Sequence, residues 1–218
     1  MHIADGVLPT SVAIGAFAVS IAVFAWSARK AKTEDLPKIA VVTSAFFVAS
    51  LIHVPLGPTS VHLLIPGLVG ILLGSSAFVS VALGIILQSL LFQFGGITAL
   101  GVNALMMGVS ALLCGYVFRA IKGPSLSGHV FAGAITGGLG VVLSAIILAL
   151  FLVTSGEDFW GVAKIALYVH LPVVLIEAAV SAFSVSFLYK VKPDLLDISF
   201  SATNLNSSPK EPGSSERS

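Results

Sequence analysis

Apolar residues run along this chain in long blocks without the period-two alternation of barrel strands, and short polar clusters separate the blocks. A bilayer core of about 30 Å needs roughly 20 apolar helical residues. On that measure the pattern predicts spans at 9–28, 38–54, 62–76, 77–93, 102–121, 128–153 and 160–188. The third and fourth share a stretch without charge from Leu63 to Phe94, divided only at Gly74-Ser75-Ser76. Pro66-Gly67 predicts an irregular start to the third, of the kind found where transporter helices line a cavity.

Composition fixes the solvent. The chain is 56% hydrophobic and 10% charged, with a mean hydropathy of +1.04. It reads as an all-α integral membrane protein, a bundle of about seven transmembrane helices over residues 1–192, followed by a polar tail at 193–218 with the composition of a disordered cytoplasmic extension. A net charge of +1 gives no case for nucleic acid as a partner, which leaves the lipid bilayer as the first one. The single Cys114 excludes an internal disulfide and a cysteine-based zinc site, and reads as a packing residue.

Basic residues set the expected orientation. Arg29, Lys30, Lys32 and Lys38 follow the first span, Arg119 and Lys122 the fifth, and Lys190 and Lys192 the seventh. The loops at 55–61 and 94–101 carry no Lys or Arg, and that at 154–159 is acidic. Seven spans across the cell membrane, with the N-terminus outside and the C-terminus cytoplasmic, place every basic cluster in the cytoplasm. The first 28 residues lack the basic leading region of a signal peptide, so Met1 is expected to stay.

Candidate chemistry then concentrates at the outer face. An unblocked Met1-His2 terminus offers the α-amine, the His2 amide nitrogen and the His2 imidazole, closing a five-membered and a six-membered chelate ring around one metal ion. One further imidazole completes a square-planar N4 set, a geometry for Ni(II) or Cu(II) rather than tetrahedral Zn(II). His62, at the outer end of the third span, lies on the same side; His129, at the cytoplasmic start of the sixth, does not. His53 reads as a supporting residue or an interfacial anchor. Asp5 is placed to bond the N-terminal loop or orient His2, or to be a solvated turn residue before Gly6. Thr98 and Asn103 are placed to support the site or to cap the fifth helix.

Deeper in the bundle, Glu177 is costly if it faces lipid, so it is expected to point inward, with His170 seven residues earlier on the same face as part of an interior polar network. Met106 and Met107 read as core packing. The Gly- and Ala-rich run 133–140 fits close helix packing. The chain has no Walker-type phosphate loop and no His-Glu-x-x-His zinc motif, so neither ATP hydrolysis nor metalloenzyme catalysis is expected of it.

Met1-His2-Ile3-Ala4-Asp5-Gly6-Val7-Leu8-Pro9, Thr59-Ser60-Val61-His62-Leu63-Leu64, Pro66-Gly67-Leu68, Gly70-Ile71-Leu72-Leu73-Gly74, Gln88-Ser89-Leu90-Leu91-Phe92 and Gly95 through Asn103 occur in order. Met107-Gly108, His170-Leu171-Pro172 with Glu177, and Lys192-Pro193-Asp194-Leu195-Leu196 complete the series. With these blocks the chain resembles the CbiM/NikM family, the substrate-binding components of energy-coupling-factor ABC transporters for cobalt and nickel. The resemblance implies a seven-helix bundle with its N-terminal segment inserted at the centre. It also implies metal held by the Met1 amine, the His2 amide and imidazole, and His62. Co(II) or Ni(II) would be transported substrate, with no prosthetic group. The implied partners are ATPase subunits, a transmembrane coupling subunit and, in some systems, a small accessory membrane protein. A passive channel or a carrier for another small solute is the alternative, and it predicts no dependence on a free N-terminal amine.

Overall fold

The computed structural model describes residues 2–56, 59–156 and 159–196, with only the backbone at 53–56, 59–61 and 159. In chain order the described residues form α1 (Thr10–Lys30), α2 (Leu36–Ala49), β1 (His53–Leu56), β2 (Thr59–His62), α3 (Pro66–Leu73), α4 (Ala77–Phe92), α5 (Leu100–Ile121), α6 (Leu126–Val153) and α7 (Phe159–Val191). Short 3-10 turns occupy Thr33–Asp35, Gly74–Ser76 and Pro193–Leu196.

Among the described residues, five segments are long and apolar enough to cross a membrane: Thr10–Lys30, Pro66–Phe92, Leu100–Ile121, Leu126–Val153 and Trp160–Val191. The expected second span ends early. Helix α2 has 14 residues, a length of about 21 Å against the ~30 Å of a bilayer core. Its end is marked by Ser50, whose hydroxyl donates to the Phe47 carbonyl at 2.6 Å. Beyond it the chain forms an antiparallel hairpin, β1 with β2, in which His53 pairs with His62 and Leu56 with Thr59. That hairpin takes up residues assigned by periodicity to the second and third spans.

The expected third and fourth spans are one composite segment. Helix α3 has only 8 residues, about 12 Å. It starts at Pro66, which suits a first helical position, and breaks at Gly74, whose φ of +55° ends the helix before α4 begins. The division at 74–76 therefore falls where the sequence predicts it, but it divides a single span-length segment.

Close backbone contacts hold this short segment at the centre. A Cβ on Gly70 would collide with the Ala111 carbonyl of α5, and one on Gly67 with the main chain of Thr136 and Gly137 in α6. Helix α5 packs against α1, α3, α4 and α6, with Met106, Met107 and Cys114 fully buried. Helices α6 and α7 pair along most of their length. The 3-10 turn after α7 seats Leu196 against Ile71 and Phe118, so the packed part of the chain reaches at least to Leu196. His129, near the start of α6, is buried, bonded through Nδ1 to the Ser125 carbonyl at 2.9 Å and edge-on to Phe118 and Tyr189.

Candidate metal centre

The segment before α1 is tied to the body of the protein by a pair of side chains. Asn103, 1% exposed in the first turn of α5, accepts from the Ile3 N–H through Oδ1 at 2.8 Å and donates through Nδ2 to the Ile3 carbonyl at 3.0 Å. Its side-chain amide pairs with Ile3 as a neighbouring strand would, satisfying both main-chain groups of a buried residue. Asp5 makes the second tie. Its Oδ1 accepts from the Thr98 N–H at 2.8 Å and from the Thr98 hydroxyl, and its Oδ2 accepts from the Ile97 N–H at 3.2 Å. These bonds, the Thr98 hydroxyl foremost, hold the Asp5 carboxyl below its ordinary pKa although the group is solvent-exposed.

The loop between α4 and α5 is shaped to admit this segment. Gly95 and Gly96 have φ values of +81° and +72°, a region that glycine adopts without penalty. A Cβ on Gly95 would stand 2.5 Å from Nδ2 of Asn103 and 3.2 Å from the His2 side chain, and one on Gly96 would overlap the Asp5 carboxylate.

Held this way, His2 meets His62. Their ring centroids lie 5.0 Å apart with planes inclined by 27°. Phe94 stacks on both, at 6.1 Å from His2 and 6.2 Å from His62. Nε2 of His2 lies 3.0 Å from Oε1 of Gln88, an α4 residue that is itself buried. A ring nitrogen facing a carbonyl oxygen must donate, so in this arrangement the proton is on Nε2 and the lone pair on Nδ1. Burial lowers the His2 pKa to about 3, against the opposing Gln88 bond, so the imidazole is neutral. Among the described residues no group of three or more His, Cys, Asp or Glu side chains is placed to hold a metal ion.

The structure brings together only some of the residues singled out from the sequence. His2 and His62 face each other; Met1 lies outside the described residues. Asn103 and Thr98 fix the N-terminal segment and do not cap α5, whose N-cap residue is Ala99 with no side-chain cap bond. Asp5 holds the 97–98 backbone and does not touch His2 in the bonds observed. His53 is the cross-strand partner of His62, but its side chain is outside the description.

His170 and Glu177 do not bond to each other. His170 Nδ1 lies 2.6 Å from the carbonyl of Ala166, one turn back on the same helix. Glu177 accepts from the N–H groups of Leu64 and Ile65 at 2.6 and 2.8 Å. Gln88 and Phe94 were not predicted as site residues. Gln88 carried one signal, a buried-type polar side chain in the middle of an otherwise apolar helix.

A family model described as a cobalt uptake substrate-specific transmembrane region matches residues 2–195. A Haemophilus influenzae protein named for metal transport is 33% identical over 90% of this chain and 97% of its own length. An Archaeoglobus fulgidus protein named as a fused nickel transport protein, NikMN, is 34% identical over 90% of this chain and 68% of its own. A crystal structure of a transition metal transporter superposes with a TM-score of 0.73 at 27% identity, covering 88% of this chain and 93% of that one. With the family match running from the N-terminal segment to the turn after α7, the chain belongs to the CbiM family of cobalt uptake substrate-specific transmembrane proteins.

Proposed function

We propose that this chain is the substrate-binding membrane subunit of an energy-coupling-factor ABC transporter that imports Co(II) or Ni(II). The metal is held outside the cell membrane, in a planar set made by the Met1 amine, the His2 amide and Nδ1, and the His62 imidazole. The observation that carries this reading is the pairing of His2 with His62, 60 positions apart in sequence and 5.0 Å apart between ring centres. A tridentate Met1-His2 chelate fills three corners of a square, and the fourth corner adjoins the His2 imidazole. Imidazole nitrogens bind divalent metals at about 2 Å, which puts two adjacent ring centres about 4–5 Å apart. The six-membered chelate ring requires Nδ1 of His2, and Gln88 occupies Nε2. Second-row support of this kind is common at metal-bound histidines.

Such a donor set disfavours Mg(II) and Ca(II), which seek oxygen ligands. Affinity order alone favours Ni(II) over Co(II), so discrimination falls to the rigidity of the site and to supply. With no nucleotide-binding motif of its own, the chain takes its energy from separate ATPase subunits through a transmembrane coupling subunit, with a small accessory membrane protein as a further partner.

Calorimetric titration of the purified full chain with Ni(II) and Co(II) tests the reading. The native terminus should bind one ion tightly, and both an added N-terminal residue and His62→Ala should abolish binding without loss of fold. Binding that survives the added residue would sink the chelate.

A further inference from the structure

The segment that carries His62 into the bundle is anchored by one carboxylate. Glu177 is 0% exposed in the middle of α7, and its Oε1 accepts from two consecutive main-chain donors, Leu64 N–H at 2.6 Å and Ile65 N–H at 2.8 Å. Its Oε2 is buried without a hydrogen-bond partner among the described residues. A carboxylate enclosed in apolar surroundings is retained against a desolvation cost, and charge-assisted bonds to main-chain donors are the means of offsetting it.

What these bonds hold is an unfavourable piece of backbone. Ile65 has φ of +45° and ψ of +30°, a left-handed conformation that is a true outlier for a β-branched residue. It also precedes Pro66, and the pyrrolidine ring restricts the residue before it further. Such a turn persists only where its surroundings over-determine it. Here the Pro66 side is fixed by α3, through Gly67 against α6 and Gly70 against α5. The Leu64 side, two residues after His62, is fixed by Glu177.

We infer that Glu177 is the positioning residue of His62: its carboxylate clamps the Leu64-Ile65 turn and so sets the angle at which the His62 imidazole meets His2. The inference rests on the metal-site reading above. A planar N4 site tolerates little rotation of its fourth ligand, because displacement out of the plane weakens the in-plane field that favours Ni(II). Glu177 therefore acts on the quality of coordination, without touching the ion.

The test uses the full chain in nanodiscs with NiCl2 and CoCl2 as probes, in the wild type, Glu177→Gln, Glu177→Asp and His62→Ala. Glu177→Gln keeps the shape and one acceptor, but loses the charge and puts an amide nitrogen where Oε2 has no partner. It should bind Ni(II) three- to tenfold more weakly, release it faster, and show at saturation a visible d–d band moved to lower energy. Glu177→Asp withdraws the carboxylate from both amides and should lose more than tenfold. Misfolding would reduce the amplitude of the band without moving it, so band position separates positioning from general destabilisation. Should Glu177→Asp fail to fold, Glu177→Gln decides alone. Wild-type affinity, release rate and band position in Glu177→Gln would overturn the inference. If the wild type binds no Ni(II), or His62→Ala binds as the wild type does, the metal-site reading itself has failed, and the role of Glu177 fails with it.

Discussion

Gln88 Oε1 faces Nε2 of His2 at 3.0 Å, so a buried side chain of α4 selects which nitrogen of an N-terminal imidazole keeps its lone pair. The two residues are 86 positions apart, and the chelate proposed for the terminus depends on their meeting. Replacing Gln88 by Leu removes the acceptor and frees the ring to take either tautomer. Loss of such support costs roughly 10–100-fold in metal affinity at comparable sites. Ni(II) titration of Gln88→Leu should show a loss in that range at unchanged one-to-one stoichiometry, and wild-type affinity would sink the assignment of Nδ1 as the ligand.

Asn103 makes a separate prediction about seating. Its amide meets both the N–H and the carbonyl of Ile3, and Asn103→Leu leaves the two groups buried and unpaired. An unsatisfied buried polar group costs about 1–3 kcal/mol, enough to lift the N-terminal segment in a large share of molecules without unfolding the helices. Hydrogen exchange at the Ile3 amide should accelerate at least tenfold in Asn103→Leu while amides in the middle of α5 keep their wild-type protection. Equal exchange at Ile3 would mean that the contact does not hold the segment.

The pH dependence of that seating has a definite sign. In the folded protein the His2 pKa is lowered by burial to about 3, whereas an unfolded histidine titrates near 6.5. A base with a depressed folded pKa contributes its stability above the unfolded value and loses it as pH falls toward the folded one. Seating of the N-terminus should therefore be constant above about pH 6.5 and weaken progressively between there and about pH 3. NMR of protein carrying labelled histidine should show the His2 ring neutral at pH 5, where a free imidazole is almost fully charged. Titration of the His2 signal near 6.5 would contradict the enclosed site.

Much of this arrangement was legible in the sequence, for physical reasons that differ by element. Long apolar runs bounded by charge gave α1, α5, α6 and α7 to within about three residues, because chain length against bilayer thickness leaves few alternatives. The hairpin at 53–62 was not legible. Its strands are only four residues each, too short for periodicity to register, and most of their residues read as the loop at 55–61 and the rest as the ends of the neighbouring spans. The expectation that His2 and His62 lie together came from the demand of a terminal chelate for one more imidazole on the same side, and their rings are 5.0 Å apart. Gln88 and Phe94 were not legible, since their roles arise from tertiary proximity to His2 that no local pattern encodes. Glu177 shows the middle case: its inward direction followed from the cost of a charge in lipid, but its partners turned out to be the amides beyond His62 instead of His170.

The last prediction concerns the exposed tie between Asp5 and the loop at 97–98. Thr98 gives Asp5 both its amide and its hydroxyl, Ile97 adds a second amide, and the carboxyl pKa is lowered as a result. The sign is opposite in origin to that of His2 but equal in direction. A carboxylate with a depressed folded pKa contributes above its unfolded value, near 4, and that contribution disappears as pH falls through the folded one. Across pH 6–8 the tie is fully charged, so a pH effect on metal binding in that range belongs to the chelating nitrogens and not to Asp5. Asp5→Asn keeps one acceptor and loses the charge, and it should leave thermal stability nearly unchanged because the group is in water. Exchange at the Thr98 amide should rise several-fold in Asp5→Asn at pH 7, and the two proteins should converge only below about pH 4. Thr98→Val removes the hydroxyl while sparing the amide bond, so its effect should be smaller and of the same kind. Identical Thr98 exchange in wild type and Asp5→Asn at pH 7 would show that the N-terminal segment is held by Asn103 alone.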